Sequence, residues 1–330
     1  MSATRDLFLS QAVNEALDEE LARDPKVFLL GEEIGVWGGA YNVTEGLLAK
    51  WGPDRVIDTP ISEAAIVGAA VGASLTGTRP VPEIMYSDFL GIAMDQVVNQ
   101  AAKNRYMFGG KATLPITLRT TFGGGTGHAG QHSQCPEVWF TNVPGLKVVT
   151  SATPHDAKGL LKSAIRDDSV VVFFEHKALY NQRGPVPDKE YTIPLGLADV
   201  KRSGNDVSVL TYARQVHNAL EAAEKLEADG ISVEVVDLRT LFPLDVDTVL
   251  TSIAKTHRAV VVYEAVRFTG YGAEIAALIQ EHAFDELDSP VLRVAAPHAP
   301  VPFSEPLEQA YLPNAEKIAI AVRQTLEGSR

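Results

Sequence analysis

Short continuous apolar runs alternate along this chain with longer stretches whose apolar residues recur at helical spacing. Lys26-Val-Phe-Leu-Leu30, Arg55-Val-Ile-Asp58, Arg79 to Tyr86, Thr113 to Thr121, Leu146-Lys-Val-Val-Thr150 and Ser169-Val-Val-Val-Phe-Phe174 read as strands. Runs of this kind suit strands buried on both faces, as in parallel sheets. Between them, Leu7 to Leu21, Thr44 to Lys50, Asp88 to Arg105 and Pro154 to Arg166 read as helices. From His176 to Gly196 the pattern lapses, and Pro185, Pro187 and Pro194 mark a crossing segment. It resumes with strands at Asp206 to Thr211, Ile231 to Asp237, Arg258 to Glu264 and Val291 to Ala295. Helices fall at Gln215 to Ala228, Asp245 to Lys255, Gly272 to His282 and Ala315 to Leu326. The alternation predicts an α/β fold of two domains, each with a mainly parallel sheet flanked by helices. The first domain is expected at 1–180, a linker at 181–200 and a second α/β domain at 201–330.

One stretch stands apart. Asp58-Thr-Pro-Ile-Ser-Glu63 leaves a strand through a proline and opens a helix at a carboxylate. Ala64 to Ala73 then carries no charge, and a helix apolar on all sides is expected to be buried. Gly68 and Gly72 would let another backbone pack closely. Glu63 is either a helix-starting acid favoured by the helix dipole or a group that gives and takes a proton.

The totals narrow the classes. The 330 residues suffice for two domains, and 45% hydrophobic content supports large cores. A formal net charge of −13 argues against a nucleic-acid surface and suits docking to a basic partner. The single cysteine, Cys135, excludes an intramolecular disulfide and a cysteine-only metal cluster. The apolar run from Ala64 to Ala73 is too short to span a bilayer. The start, Met1-Ser-Ala-Thr-Arg-Asp6, leads into an amphipathic helix and not into a signal-peptide core. A cytoplasmic protein without a membrane segment is expected.

A glycine loop, Gly123-Gly-Gly-Thr-Gly-His-Ala-Gly130, contains G-x-G-x-x-G from Gly125. A strand precedes it, but Gln131 to Pro136 is polar and broken by proline where a dinucleotide site needs a helix. The acid expected about twenty residues on is missing near Thr150. The loop reads instead as a flexible segment beside an active site. His132 follows it and His128 lies within it; either is a plain loop histidine or a proton carrier.

Asp58-Thr-Pro-Ile-Ser-Glu63, Asn99-Gln-Ala-Ala-Lys103, Gln131-His-Ser-Gln134, Pro144-Gly-Leu-Lys-Val-Val149 and Asp156-Ala-Lys-Gly-Leu-Leu161 occur in this order. Together they resemble the beta subunit of the thiamine-diphosphate-dependent decarboxylating component of 2-oxoacid dehydrogenase complexes, over essentially the whole chain. The resemblance implies a transketolase-like pyrimidine-binding domain followed by a transketolase C-terminal-like domain. It implies that Glu63 bonds the pyrimidine ring nitrogen, that Phe89 stacks on the ring, and that Ile61 and Met85 are neighbours in the pocket. It gives His132 a place at the substrate carboxylate or in acyl transfer to lipoamide. The Gly-Asp-Gly signature for the diphosphate and its Mg²⁺ occurs nowhere here. The resemblance therefore implies a separate alpha subunit that supplies that half, in a heterotetramer of two alpha and two beta chains. It also implies docking of the C-terminal domain to a dihydrolipoyl acyltransferase core.

Some members hold a structural K⁺, and the matching positions are Ile116, Ala164, Asp167 and Ser169, with serine where the family commonly has asparagine. An ordinary helix end is the alternative there. Arg105-Tyr-Met-Phe-Gly-Gly-Lys111 and Phe173-Phe-Glu-His-Lys177 look most like pyruvate or acetoin dehydrogenase beta chains. A branched-chain 2-oxoacid enzyme is the alternative within the family. The rivals outside it are a non-catalytic scaffold chain docking the acyltransferase and a nucleotide-binding α/β protein.

Overall fold

The computed structural model describes residues 4–327. The chain divides into two compact units: one comprises the chain to Phe122 with Trp139–Leu195, the other Gly123–Val138 with Gly196 onward.

The first unit contains β1 (Thr4–Phe8), α1 (Leu9–Arg23), β2 (Val27–Gly31), α2 (Leu47–Trp51), β3 (Val56–Asp58), α3 (Glu63–Leu75) and β4 (Arg79–Tyr86). Then come α4 (Ala102–Met107), β5 (Thr117–Phe122), α5 (Glu137–Thr141), which opens at the boundary, β6 (Leu146–Thr150), α6 (Pro154–Arg166), β7 (Val170–His176) and β8 (Arg183–Pro187). Six strands run parallel in the order β6-β7-β5-β4-β2-β3. Every residue of β5 and β7 is buried, as a sheet covered on both faces requires. Leu9, Val13, Leu17 and Leu21 of α1 join Leu160, Leu161 and Ile165 of α6 over Leu29, Val81, Val171 and Phe173.

Helix α6 starts cleanly because Thr153 accepts the Asp156 N–H and Pro154 needs no donor at the first turn. Its Lys158 and Lys162 are fully buried against α1, where Lys158 pairs with Glu15 and Glu19, and Lys162 with Glu19.

Two expectations need correction. Helix α3 is apolar all round, yet Ala65, Ala69 and Gly72 face outward, so one side of it is uncovered in this chain. Composition reports apolarity, not the presence of a neighbour. The long helix read from Asp88 to Arg105 is instead a 3₁₀ turn at Ser87–Gly91, a π-helical segment at Asp95–Ala101 and the short α4. Gly91 weakens helix continuity there, and apolar spacing over two turns does not fix the hydrogen-bond step. In the stretch read as a linker, β8 pairs antiparallel with β1, Thr4 opposite Pro187 and Phe8 opposite Arg183.

The second unit contains β9 (Asp199–Arg202), β10 (Val207–Thr211), α7 (Arg214–Glu227), β11 (Val233–Asp237), β12 (Thr240–Phe242), α8 (Val246–Thr256), β13 (Ala259–Val266), α9 (Tyr271–His282) and β14 (Leu292–Ala296). Helices α10 (Glu305–Tyr311) and α11 (Ala315–Leu326) close it. Its sheet runs β14-β13-β10-β11-β9, parallel except for β9 at the edge. Val209, Val235 and Val262 meet Ala219 and Leu226 of α7 and Ile318 and Val322 of α11 in its core.

Candidate active site

In the first sheet β2 has β3 on one side and β4 on the other, so the strand order reverses there. Crevices for ligands form outside the carboxyl ends of strands at such a point. Three loops leave the sheet at this edge. Glu32 follows β2, Glu63 opens α3 after β3, and Phe89 follows β4.

Glu63 is 7% exposed and is the first residue of α3. Glu32 was missed from sequence, although Gly31-Glu-Glu-Ile-Gly35 at a strand end was its signal. Burial pushes the Glu32 carboxyl above its ordinary range, the nearby Glu63 charge pushes it further, and the Ser62 amide opposes both. Its Oε1 is buried without a hydrogen-bond partner among the described residues. Asp58, ending β3, anchors the loop after Glu32 by accepting the Gly35 N–H at 2.6 Å and the Val36 N–H at 3.0 Å. A Cβ at residue 35 would lie 2.7 Å from the Asp58 carboxylate, so the loop needs glycine there.

Met85 and Phe89 occupy the end of β4 and the turn beyond it, both half-buried. The β4–β5 register shifts between Ile84 and Tyr86, which leaves Met85 as the extra residue of a bulge. Bulges re-aim side chains and recur beside active sites. The Thr121 hydroxyl donates to the Met85 carbonyl at 2.7 Å. Phe89 meets Tyr86 edge to face at 5.6 Å, and Tyr86 shares a hydroxyl contact with Tyr41 at 3.3 Å. Ile61 is 83% exposed, so within this chain it lines the rim and nothing covers it.

Below this edge Arg119 of β5 bonds Glu175 of β7 through two nitrogens, at 2.7 and 2.9 Å, and Glu83 of β4 at 2.5 Å. Burial opposes the Arg119 charge, but the two carboxylates outweigh it and hold the guanidinium above its ordinary range. Burial raises Glu83 despite Arg119.

His132 lies in the second unit, with the glycine loop. It is half-buried and follows a short turn at Ala129–Gln131, in which Ala129 has φ of 59°. His128 bonds Thr126 through its ring nitrogen at 2.8 Å. The loop's amides point into the protein: Gly124 N–H donates to Glu264, and Gly125 and Gly127 N–H donate to Glu308. A phosphate-binding loop needs such amides turned to the ligand. Their engagement by carboxylates removes the nucleotide reading. At the far end of the segment Tyr212 donates to Glu137 at 2.5 Å, and burial pushes the Glu137 carboxyl up to about 7 against that hydrogen bond. Cys135 is half-buried, with its sulfur 4.0 Å from Glu264.

The potassium positions are already engaged by the protein. Ile116 O accepts the Val171 N–H and Ala164 O the Asp167 N–H, while Arg79 donates to Ile165 O and Asp167 O. The Asp167 carboxylate takes Lys147 and the Ser169 amide, and the Ser169 hydroxyl takes Arg105. A carbonyl that accepts one hydrogen bond keeps a second lone pair for a further partner. Among the described residues no group of three or more His, Cys, Asp or Glu could hold a metal, and no helix is long and apolar enough to cross a membrane.

Residues 6–183 match the transketolase pyrimidine-binding domain family, and 196–318 match the transketolase C-terminal domain family. The two matches define a transketolase-like subunit whose pyrimidine-binding domain implies thiamine diphosphate. A solved split-gene transketolase, described as an inactive beta4 tetramer, superposes with a TM-score of 0.78 over 98% of this chain and 99% of its own, at 24% identity. The chain is 50% identical to the beta subunit of the acetoin:2,6-dichlorophenolindophenol oxidoreductase of Cupriavidus necator, over 99% of each chain. It is 49% identical to the Bacillus subtilis pyruvate dehydrogenase E1 beta subunit over 96% of this chain and 98% of that one. Against the Bacillus subtilis 2-oxoisovalerate dehydrogenase beta subunit the figures are 45%, 96% and 97%. The chain belongs to the family of beta subunits of thiamine-diphosphate-dependent 2-oxoacid and acetoin dehydrogenases, and it is an enzyme subunit.

Proposed function

We propose that this chain is the pyrimidine-holding half of an active site that cleaves pyruvate or acetoin and passes the two-carbon acyl unit to a lipoyl group. The observation that carries the reading is the carboxylate pair at the switch point, Glu63 beside Glu32, with a buried Glu32 oxygen that lacks a hydrogen-bond partner among the described residues. A hydrogen-bonding heterocycle would satisfy such a pair, and the half-exposed Phe89 and Met85 offer it an apolar shelf. The residues fit the pyrimidine half of thiamine diphosphate. Bound there, the cofactor supplies the carbon centre at which the bond beside the substrate carbonyl is broken.

Glu63 would bond the pyrimidine ring nitrogen and pass a proton to and from it. Glu32 would offer a second acceptor beside it. Phe89 would orient the ring by stacking, and Met85 and Ile61 would keep water from its edge. His132 holds or passes a proton during transfer to the lipoyl group.

The diphosphate and Mg²⁺ need oxygen ligands, for which this chain has no Gly-Asp-Gly. An alpha subunit supplies them, in a tetramer of two alpha and two beta chains docked through the C-terminal domain to a dihydrolipoyl acyltransferase core in the cytoplasm. No part of the reading uses potassium. The acetoin and pyruvate relatives stand nearer than the 2-oxoisovalerate relative, and both named substrates yield the same two-carbon unit. A pure scaffold chain is disfavoured because Glu63 and His132 are both present.

The test is turnover of the chain co-expressed with its alpha partner, with thiamine diphosphate, Mg²⁺ and an artificial electron acceptor. Acetoin, pyruvate and 3-methyl-2-oxobutanoate are compared. Preference for either of the first two supports the reading, and preference for the third overturns the two-carbon assignment.

A further inference from the structure

Two buried carboxylates take no part in the chemistry above, and both converge on the glycine loop. Glu308 of α10 is 3% exposed, and its two oxygens accept the amides of Gly125 at 2.8 Å and Gly127 at 3.1 Å. It forms no ion pair among the described residues, so those amides are what offset the burial of its charge. Glu264 of β13 accepts the Gly124 amide at 3.1 Å and the Gln215 side chain at 2.7 Å.

Arg214 closes the third side. Its Nη1 donates to Gly124 O at 3.2 Å and fills the space a Cβ on Gly125 would need. Leu312 does the same for Gly124, at 3.0 Å from its absent Cβ. Ala213, just before Arg214, has φ of 51° and ψ of −133°, a conformation normally left to glycine. Strain of that kind persists only where the surroundings over-determine it. Here Tyr212 is tied to Glu137 and Arg214 to Gly124, so the two residues flanking Ala213 grip the histidine-bearing segment near both its ends.

Beside the loop lies a cavity of about 600 Å³ lined by Thr126, Arg214, Asn218, Glu305, Gln309 and Asn314. Leu312 and Pro313 also line it, so apolar contact and the amide–carboxylate bonds together hold the loop on that side.

We infer that Glu308, with Glu264, is a positioning residue that sets the conformation of the loop bearing His128 and His132, and thereby serves transfer to the lipoyl group and not cleavage of the substrate. The inference rests on the transfer role proposed for His132. It goes beyond that role in naming what holds the histidine and predicting a loss confined to one half-reaction.

The test compares E308A, E308Q and H132A in the assembled enzyme. Hydrogen–deuterium exchange over residues 123–130 reports the loop directly. Hydrogen bonds to a charged acceptor are strong enough that exchange there should rise at least about tenfold in E308A. E308Q keeps one carbonyl acceptor of the same shape, and its exchange and activity should lie between wild type and E308A. Lipoyl-dependent transfer should fall at least about tenfold in E308A, while dye-coupled cleavage stays within about twofold. Unchanged exchange in both variants overturns the inference. So does an equal fall in the two activities, because a general structural defect would move both. If E308A does not fold, E308Q carries the same comparison. If H132A retains full transfer, the role proposed for His132 fails, and the exchange data still decide whether Glu308 holds the loop.

Discussion

The Thr121 hydroxyl donates to the carbonyl of Met85, at the one point where the β4–β5 ladder slips register. A bulged residue loses a ladder partner, and this side chain replaces it. Removing the hydroxyl in T121V leaves the Met85 carbonyl without that donor at nearly constant volume. The expected loss is about 1 kcal/mol of stability, with weaker thiamine diphosphate binding as Met85 and Phe89 relax. Thermal melting and quenching of intrinsic fluorescence on titration with the cofactor measure the two effects. An unchanged cofactor affinity would separate the bulge from the pyrimidine shelf.

Glu63 and Glu32 should be separable. E63Q is expected to abolish turnover while the assembly stays intact by gel filtration. E32Q should instead raise the melting temperature near neutral pH. Burial and the Glu63 charge raise the folded-state pKa of Glu32, so the stability it lends is full below the unfolded value and is lost as pH rises through the folded one. An uncharged isostere escapes that loss. The gain should shrink as the pH is lowered toward the ordinary carboxylate range, and a gain independent of pH would refute the assignment.

Glu137 gives the same logic a number. Its carboxyl is raised from 4.5 to about 7 by burial, a shift equivalent to about 3 kcal/mol. That stability is present in full below pH 4.5 and lost between there and about pH 7. E137Q, which can still accept from Tyr212, should therefore melt higher than wild type at pH 8 and no higher near pH 4.5. Melting curves at the two pH values are the check.

The α1–α6 contact predicts an asymmetry. Lys162 is buried and leans on Glu19. Glu19→Ala leaves that ammonium without its nearest carboxylate, whereas Lys162→Met removes the charge and keeps the stem. Breaking one side of a buried pair is worse than replacing the buried charge. Urea midpoints should place Lys162→Met above Glu19→Ala, and the reverse order would show that the pair contributes chiefly through its charge.

The elements best read from sequence are those whose pattern is local. Strands β4 and β6 and helices α6 and α11 carry their own limits in proline, capping side chains and apolar runs. The pieces that escaped depend on distant partners. Strand β1 is exposed or half-exposed and exists because β8 pairs with it. Helix α10 is short and acidic, and its Glu308 gains meaning only from glycines far back in the chain. Glu63 was visible because a lone acid opens an apolar run. Glu32 carried only the weaker signal of a glutamate pair between glycines at a strand end, which gains meaning once the fold sets it beside another carboxylate. The glycine loop misled in a different way: its sequence suits an anion receptor, and only the direction of its amides says otherwise.

The β1–β8 ribbon has a topological consequence. Thr4 and Pro187 are register partners, so segments far apart in the sequence are tied in one two-stranded ladder. Among the described residues no third strand joins that ladder, so removing either strand leaves the other with no sheet to belong to.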